Sequence, residues 1–370
     1  MEAIIIAFKA DPSQKETEFP TTFNSKERSK IHEFCKKNGL FSKSEEKNGT
    51  ITFKVFKERQ AVAEVKITNK HIKELIRYYN LSIPIYDVRY FDYFKDLHCV
   101  QKEYDLLVQA VQTLAERYED FKDHGVRVAA HIVKELASTE AYKEFISDKF
   151  NLPTFPPTER LNKTELYVDP SKVTWPQFYF SFDIIKANYN CLKWYDPKLV
   201  SDTETWEELA KKFTDIEFFI HSKYFRQVVF GNLNNKRTAT LQTYLQMFLY
   251  LRIKDLLKVQ GRMGTDEIIA CTSLEQYESD LSKINQVISG LPENMKNIWR
   301  VTYFKIEPLG KNSECYVKTD LITEKIEFKN ISKDLYAQAI KFYYKRELHP
   351  LDLKIMKENF NVTLDDPHTF

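Results

Sequence analysis

Apolar and polar positions alternate most strictly over Pro176–Asp196, PQFYFSFDIIKANYNCLKWYD. Phe178, Phe180 and Phe182 fall on one side, and Tyr179, Ser181 and Asp183 on the other. A period of two predicts a β-strand with an aromatic face against a core and a lone carboxylate, Asp183, at its exit. From 184 to 194 the alternation is lost and a turn of helix is predicted. Apolar residues three and four apart predict helices through most of 61–150, in HIKELIRYYN, KEYDLLVQAVQTLAERYEDF and VRVAAHIVKELASTEAYKEFISDKF. The same spacing predicts one helix ending near Phe230, a break over 231–235, and a second long helix. Thr205 or its neighbours from 202 onward cap a short helix that opens WEEL. GRMGTDEIIACTS predicts a glycine-bounded hairpin with Asp266 and Glu267 at its tip. Further on, 274–288 and 335–344 read as helices, and Trp299–Pro308, 314–318 and 324–329 as strands.

Nearer the start, 3–8 reads as a short strand. Asn24 with Glu27 then opens a helix whose apolar stripe is Ile31, Phe34 and Cys35. Gly39 stops that helix, Ser42 and Ser44 fall in a turn, and Ile51, Phe53 and Val55 alternate as a strand. Pro153, Pro156 and Pro157 crowd the best linker and place a boundary over about 152–163. The expected organisation is α+β: a small α/β module over 1–70, a helical connector over 71–160, and an antiparallel sheet with packed helices over 161–370.

Composition narrows the chemistry. With 27 Phe and 21 Tyr against 8 Gly, the core is aromatic and glycine-rich phosphate loops are scarce. Neither a P-loop nor a dinucleotide-binding glycine string occurs. The net charge of +2 is unevenly spread. Residues 24–60 carry ten Lys/Arg against five Glu, and 211–260 carry nine Lys/Arg against three acids, which suits polyanion-facing surfaces as well as solvated helix faces. The five cysteines are scattered and never in C-x-x-C spacing, which argues for a reducing compartment. MEAIIIAFKADPSQ has neither a secretory pattern nor the roughly 18 apolar residues of a membrane span. A soluble intracellular protein, of cytoplasm or nucleus, is expected.

Arg28-x-x-x-His32, followed by Gly39-Leu40, the two serines, Gly49 and a closing strand, resembles the Arg-x-x-x-His domain. The resemblance covers about residues 20–60 and implies a small α/β module that binds single-stranded RNA or DNA. Arg28 and His32, four apart, lie on one helix face, where the arginine can fork onto phosphate. Lys30, Lys36 and Lys37 strengthen the positive field there.

A carboxylate leaving a buried strand suits a divalent ion bound through oxygen, and equally an ordinary strand-to-helix junction with a capping Asp. Its order in the chain adds meaning: a strand-end aspartate, a basic helical insert, then an acidic hairpin. That order resembles the palm of the DNA polymerase I and phage-type RNA polymerase superfamily, over about 175–275. There two aspartates hold two metals about 3.5–4 Å apart during phosphoryl transfer. The resemblance implies Asp183 and Asp266 as catalytic metal ligands for Mg²⁺ or Mn²⁺, with Glu267 in support. It makes Asn188 the residue beside the sugar. It makes Arg226 and Phe230, in an Arg-x-x-x-Phe-Gly run, the grip on a nucleoside triphosphate, and Lys223, three residues before Arg226 on the same helix face, suits that triphosphate too. Lys236 and Arg237, opening the next helix, suit a nucleic-acid backbone. The chain departs from that family in carrying Thr265 before Asp266 and Asn232-Leu233-Asn234 after Gly231, and its fingers are short. Nucleotide addition to a nucleic-acid 3′ end is the expected activity. The rival expectation is a non-catalytic RNA-binding adaptor with a silent palm, and a two-metal nuclease is a third.

Overall fold

The computed structural model describes residues 2–11, 13–20, 30–31, 34–35, 37–47, 50–57, 65–81, 83, 87–117, 119–156, 158–166, 175–309, 315–331 and 336–343. They form an α+β fold divided into two compact units, 1–68 with 102–127 and 69–101 with 128–370. The helices between 71 and 160 are therefore shared between the units.

In the first unit, α1 (Glu2–Ala10) precedes an antiparallel sheet of β1 (Glu16–Pro20), β2 (Phe41–Lys47) and β3 (Thr50–Phe56), in the order β1-β3-β2. The isoleucine run expected as a strand is helical. Ile5 and Phe8, three apart, are buried, whereas Ile4 and Ile6 are exposed. A stripe at i and i+3 buries one face of a helix, and β-branched residues do not override such packing. Ile5 and Phe8 join Ile31, Cys35, Leu40, Phe53 and Val55 in one core. Gly39, at φ +70°, ends the helical turn before Leu40, whose N–H returns to the Cys35 carbonyl at 2.9 Å. Ser42 and Ser44, expected in a turn, lie in β2 opposite Val55 and Phe53. FSKSEEK has no apolar alternation of its own, so its strand character comes from the ladder that β3 offers.

The second unit is built on a six-stranded antiparallel sheet. Its strands are β4 (Gln177–Ile184), β5 (Lys258–Met263), β6 (Glu267–Thr272), β7 (Trp299–Pro308), β8 (Tyr316–Asp320) and β9 (Ile326–Lys329), in the order β5-β6-β4-β7-β8-β9. Between β4 and β5 the chain makes α2 (Ala187–Tyr195), α3 (Trp206–Lys211), α4 (Glu217–His221), α5 (Lys223–Gly231) and α6 (Asn235–Ile253). After β6 comes α7 (Tyr277–Ser289). The helix expected to run unbroken to Phe230 is thus interrupted at Ser222. That buried hydroxyl donates to the Tyr78 carbonyl at 2.8 Å and accepts the Phe225 N–H at 3.0 Å, so it caps α5 afresh.

Directly opposed residues of neighbouring strands share a sheet face. Tyr179, Ile269, Phe304 and Ile306 occupy one face and pack with Leu166 and Tyr316. Phe180 and Phe182 occupy the other, where the Tyr277 ring of α7 stacks 5.8 Å from Phe180 and 4.3 Å from Tyr303. Both faces of β4 are therefore covered, and only Gln177, Phe178 and Asp183 along it are partly exposed. At the β5 edge, Arg262 exchanges backbone bonds with Asn162 and Thr164. A Cβ on Gly261, at φ +149°, would stand 2.6 Å from the Asn162 carbonyl oxygen, so glycine is required for that close approach.

Candidate active site

Where β4 leaves the sheet, the register puts Asp183 directly between Glu267 of β6 and Arg300 of β7. The β5–β6 hairpin turns through Gly264, at φ +67°, and its tip is fastened to β4 by the Ile184 N–H, which donates to the Asp266 carbonyl at 2.9 Å. On the other side the Ile185 N–H donates to the Ile298 carbonyl at 2.8 Å. Asp183, Asp266 and Glu267 are thus held at one end of the sheet by backbone bonds rather than by their own side chains. The Ser181 hydroxyl, two residues up the same face, donates to Glu267 Oε1 at 2.5 Å. Arg300 forms an ion pair with Asp183 through its Nη2.

The electrostatics follow from this crowding. Burial pushes the Asp183 carboxyl above the usual carboxylate range, the Arg300 guanidinium opposes that, and the charges of Asp266 and Glu267 add to it. Burial and then Glu267 push Asp266 up as well, with Lys223 pulling the other way. Helix α5 therefore brings its first residue within electrostatic reach of the hairpin tip. Lys223 is exposed, and Arg226 one turn on is half-buried. Among the described residues neither side chain has a hydrogen bond or ion pair. Burial disfavours the Arg226 charge, with Glu207 partly offsetting this. Glu207 itself is bound to Lys186 at 2.5 Å.

Asn188, on the first turn of α2, accepts a hydrogen bond from Gln242 Nε2 at 2.7 Å, and Gln242 Oε1 accepts the Thr265 hydroxyl at 2.6 Å. This chain ties the helix after β4, the long helix α6 and the hairpin turn before Asp266 together. Phe230, in contrast, is buried, packing 5.7 Å from Trp206 and 6.2 Å from Tyr189. A triphosphate cannot reach it without repacking that core, so Lys223 and Arg226 are the accessible cations of α5. Arg237 donates to the carbonyls of Phe145 and Ser147 and lies over the Phe150 ring, which occupies its guanidinium structurally. Lys236 beside it is exposed.

In the first unit Lys30 and Lys37 are exposed, while Arg28, His32 and Lys36 lie outside the described residues, as do Asn24 and Glu27. Arg300, Ser181 and Gln242 escape a reading of the sequence. Their signals are slight: one arginine in an otherwise core-like strand, a serine among phenylalanines, and a glutamine on the apolar side of α6.

Among the described residues, no three or more His, Cys, Asp and Glu side chains converge as a metal cage. What the site offers is a pair of carboxylates, Asp183 and Asp266, whose negative charges disfavour one another. Hard oxygen donors in that number fit Mg²⁺, which takes one or two protein carboxylates and completes its shell from water and phosphate. Among the described residues no helix is long and apolar enough to cross a membrane. No family model matches the chain, and neither the curated proteins nor the solved structures provide a match to it.

Proposed function

We propose that the second unit is a compact polymerase-like palm that adds nucleotides to a nucleic-acid 3′ end, and that the N-terminal module binds single-stranded RNA or DNA. The observation that carries the reading is the end of the sheet. Asp183 stands opposite Glu267, Asp266 is fastened beside them, and Lys223 at the start of α5 acts electrostatically on Asp266, while among the described residues neither Lys223 nor Arg226 has a hydrogen bond or ion pair. Asp183 and Asp266 would hold Mg²⁺ or Mn²⁺, which when bound supplies positive charge to phosphoryl oxygens. Lys223 and Arg226 take the triphosphate, and the Thr265–Gln242–Asn188 chain fixes the amide of Asn188 on the same side. Glu267, which accepts the Ser181 hydroxyl, supports the site from the hairpin.

The test is extension of a template–primer, and of a single strand, by the full chain with all nucleotides and Mg²⁺ or Mn²⁺. Extension lost in both Asp183→Asn and Asp266→Asn is the expected result. The Arg300–Asp183 ion pair favours a second reading, a palm that binds nucleic acid without catalysis. Under it, no extension occurs, single-stranded RNA still binds, and Arg28→Ala weakens that binding.

A further inference from the structure

Arg300 stands where a divalent ion would need Asp183. The two residues are directly opposed on β4 and β7, and the guanidinium donates to Asp183 Oδ2. Their exposure is unequal. Asp183 keeps 21% of its side chain exposed and is crowded on both sides by neighbouring strands, whereas the Arg300 side chain is 62% exposed. The backbone of β7 is fixed here by the Ile298 carbonyl bond to Ile185 and by Trp299, buried at the other face. Only the arginine side chain is free to leave, and it can leave into water. A carboxylate oxygen that accepts a guanidinium N–H presents its lone pairs to that donor, so guanidinium and metal ion compete for the same atom.

The charges around this atom come from every neighbouring strand and from α5. Asp266 and Glu267 are the like charges, Arg300 is the counter-charge on Asp183, and Lys223 acts on Asp266. Without Arg300 the end of the sheet holds three carboxylates against Lys223. We propose that Arg300 is a displaceable internal counter-cation of Asp183, a latch that occupies the metal-binding carboxylate until a divalent ion takes it over. The inference rests on the palm reading. It adds that this site binds metal more weakly than its carboxylates alone would allow, and that metal entry releases a guanidinium at the mouth of the site.

Titration of the full chain with Mn²⁺, followed by the electron paramagnetic resonance signal of the free ion, tests this directly and needs no activity. Arg300→Gln is expected to bind Mn²⁺ about fivefold more tightly than the parent, as suits loss of a partly exposed ion pair. The gain is expected to vanish in Arg300→Gln combined with Asp183→Asn. Arg300→Lys keeps a cation on the strand without the planar fork and answers the same question should the neutral variant not fold. It is expected to tighten binding by a smaller factor. Mn²⁺ binding that depends on Asp183 but is equal or weaker in folded Arg300 variants overturns the latch and leaves the palm reading intact. Absence of Mn²⁺ binding in parent and variants alike overturns both.

Discussion

Two glutamines one turn apart on α6 face opposite fates, and the same substitution at each should move stability in opposite directions. Gln242 is 5% exposed and satisfied at both ends, by Asn188 and Thr265. Gln246 is 0% exposed, and among the described residues both its Nε2 and Oε1 lack a hydrogen-bond partner. A buried polar group left unpaired costs about 1–3 kcal/mol, whereas a satisfied hydrogen bond contributes about 1 kcal/mol net. Gln246→Leu, similar in volume, removes an amide that burial penalises and should stabilise by about 2 kcal/mol. Gln242→Leu removes two hydrogen bonds and leaves half-buried Asn188 and exposed Thr265 short of a partner, a loss of about 2 kcal/mol. All four tryptophans, Trp175, Trp194, Trp206 and Trp299, lie in the second unit, so their fluorescence in urea follows that unit alone. With a slope of about 3 kcal/mol per molar, each variant shifts the midpoint by about 0.7 M, upward for Gln246→Leu and downward for Gln242→Leu. A lowered midpoint for Gln246→Leu, or shifts of the same sign, would refute the reasoning.

Two further predictions concern the same unit and the same measurement. Burial pushes His98 down to about 4, its Nε2 has no hydrogen-bond partner among the described residues, and its ring stacks 5.6 Å from Tyr336. Between the ordinary histidine range and about 4 the unfolded chain binds a proton that the folded one refuses. Stability from this group is therefore fully present above about pH 6.5 and falls by about 3 kcal/mol as the pH drops toward 4. His98→Phe should flatten the midpoint-versus-pH curve over that window, and an unchanged slope would count against a neutral buried ring. Thr205 caps α3 by accepting the Glu208 N–H at 3.2 Å, just ahead of fully buried Trp206. Thr205→Ala should cost about 1 kcal/mol and Thr205→Ser much less, and equal losses would remove the cap from the account.

What could be read in the sequence was what local chemistry decides. The hairpin around Asp266 announces itself because Gly261 and Gly264 stand at positive φ, and the alternation of Phe178, Phe180 and Phe182 has no helical equivalent. The other face of β4 was not legible. Tyr179 and Ser181 are as buried as the phenylalanines, because β4 sits inside the sheet with packing on both sides. The isoleucines of α1 and the serines of β2 misled for a related reason, since a partner elsewhere in the chain decided their conformation. Asp183 was visible as an isolated carboxylate, yet Arg300 was not, because 117 positions separate the pair and only the β4–β7 register brings them together.

Helix α5 carries the clearest conflict between local rules and the site. Lysine is a poor choice for the first residue of a helix, where the macrodipole already presents positive charge, and no acid in the first turn compensates. One turn later Arg226 is half-buried without an ion pair among the described residues, which burial alone would disfavour. The nearby Glu207 relieves it only in part, being bound to Lys186. Both costs disappear if an anion sits between α5 and the carboxylates: the helix N-terminus, Lys223 and Arg226 then have a common partner. Ser222 is what makes that arrangement possible. By ending α4 and capping α5 while held to Tyr78, it sets the start of α5, and so Lys223, within reach of Asp266. Two local choices that are unfavourable by themselves, Lys223 opening α5 and Arg226 half-buried a turn later, are what the palm reading proposed above would account for.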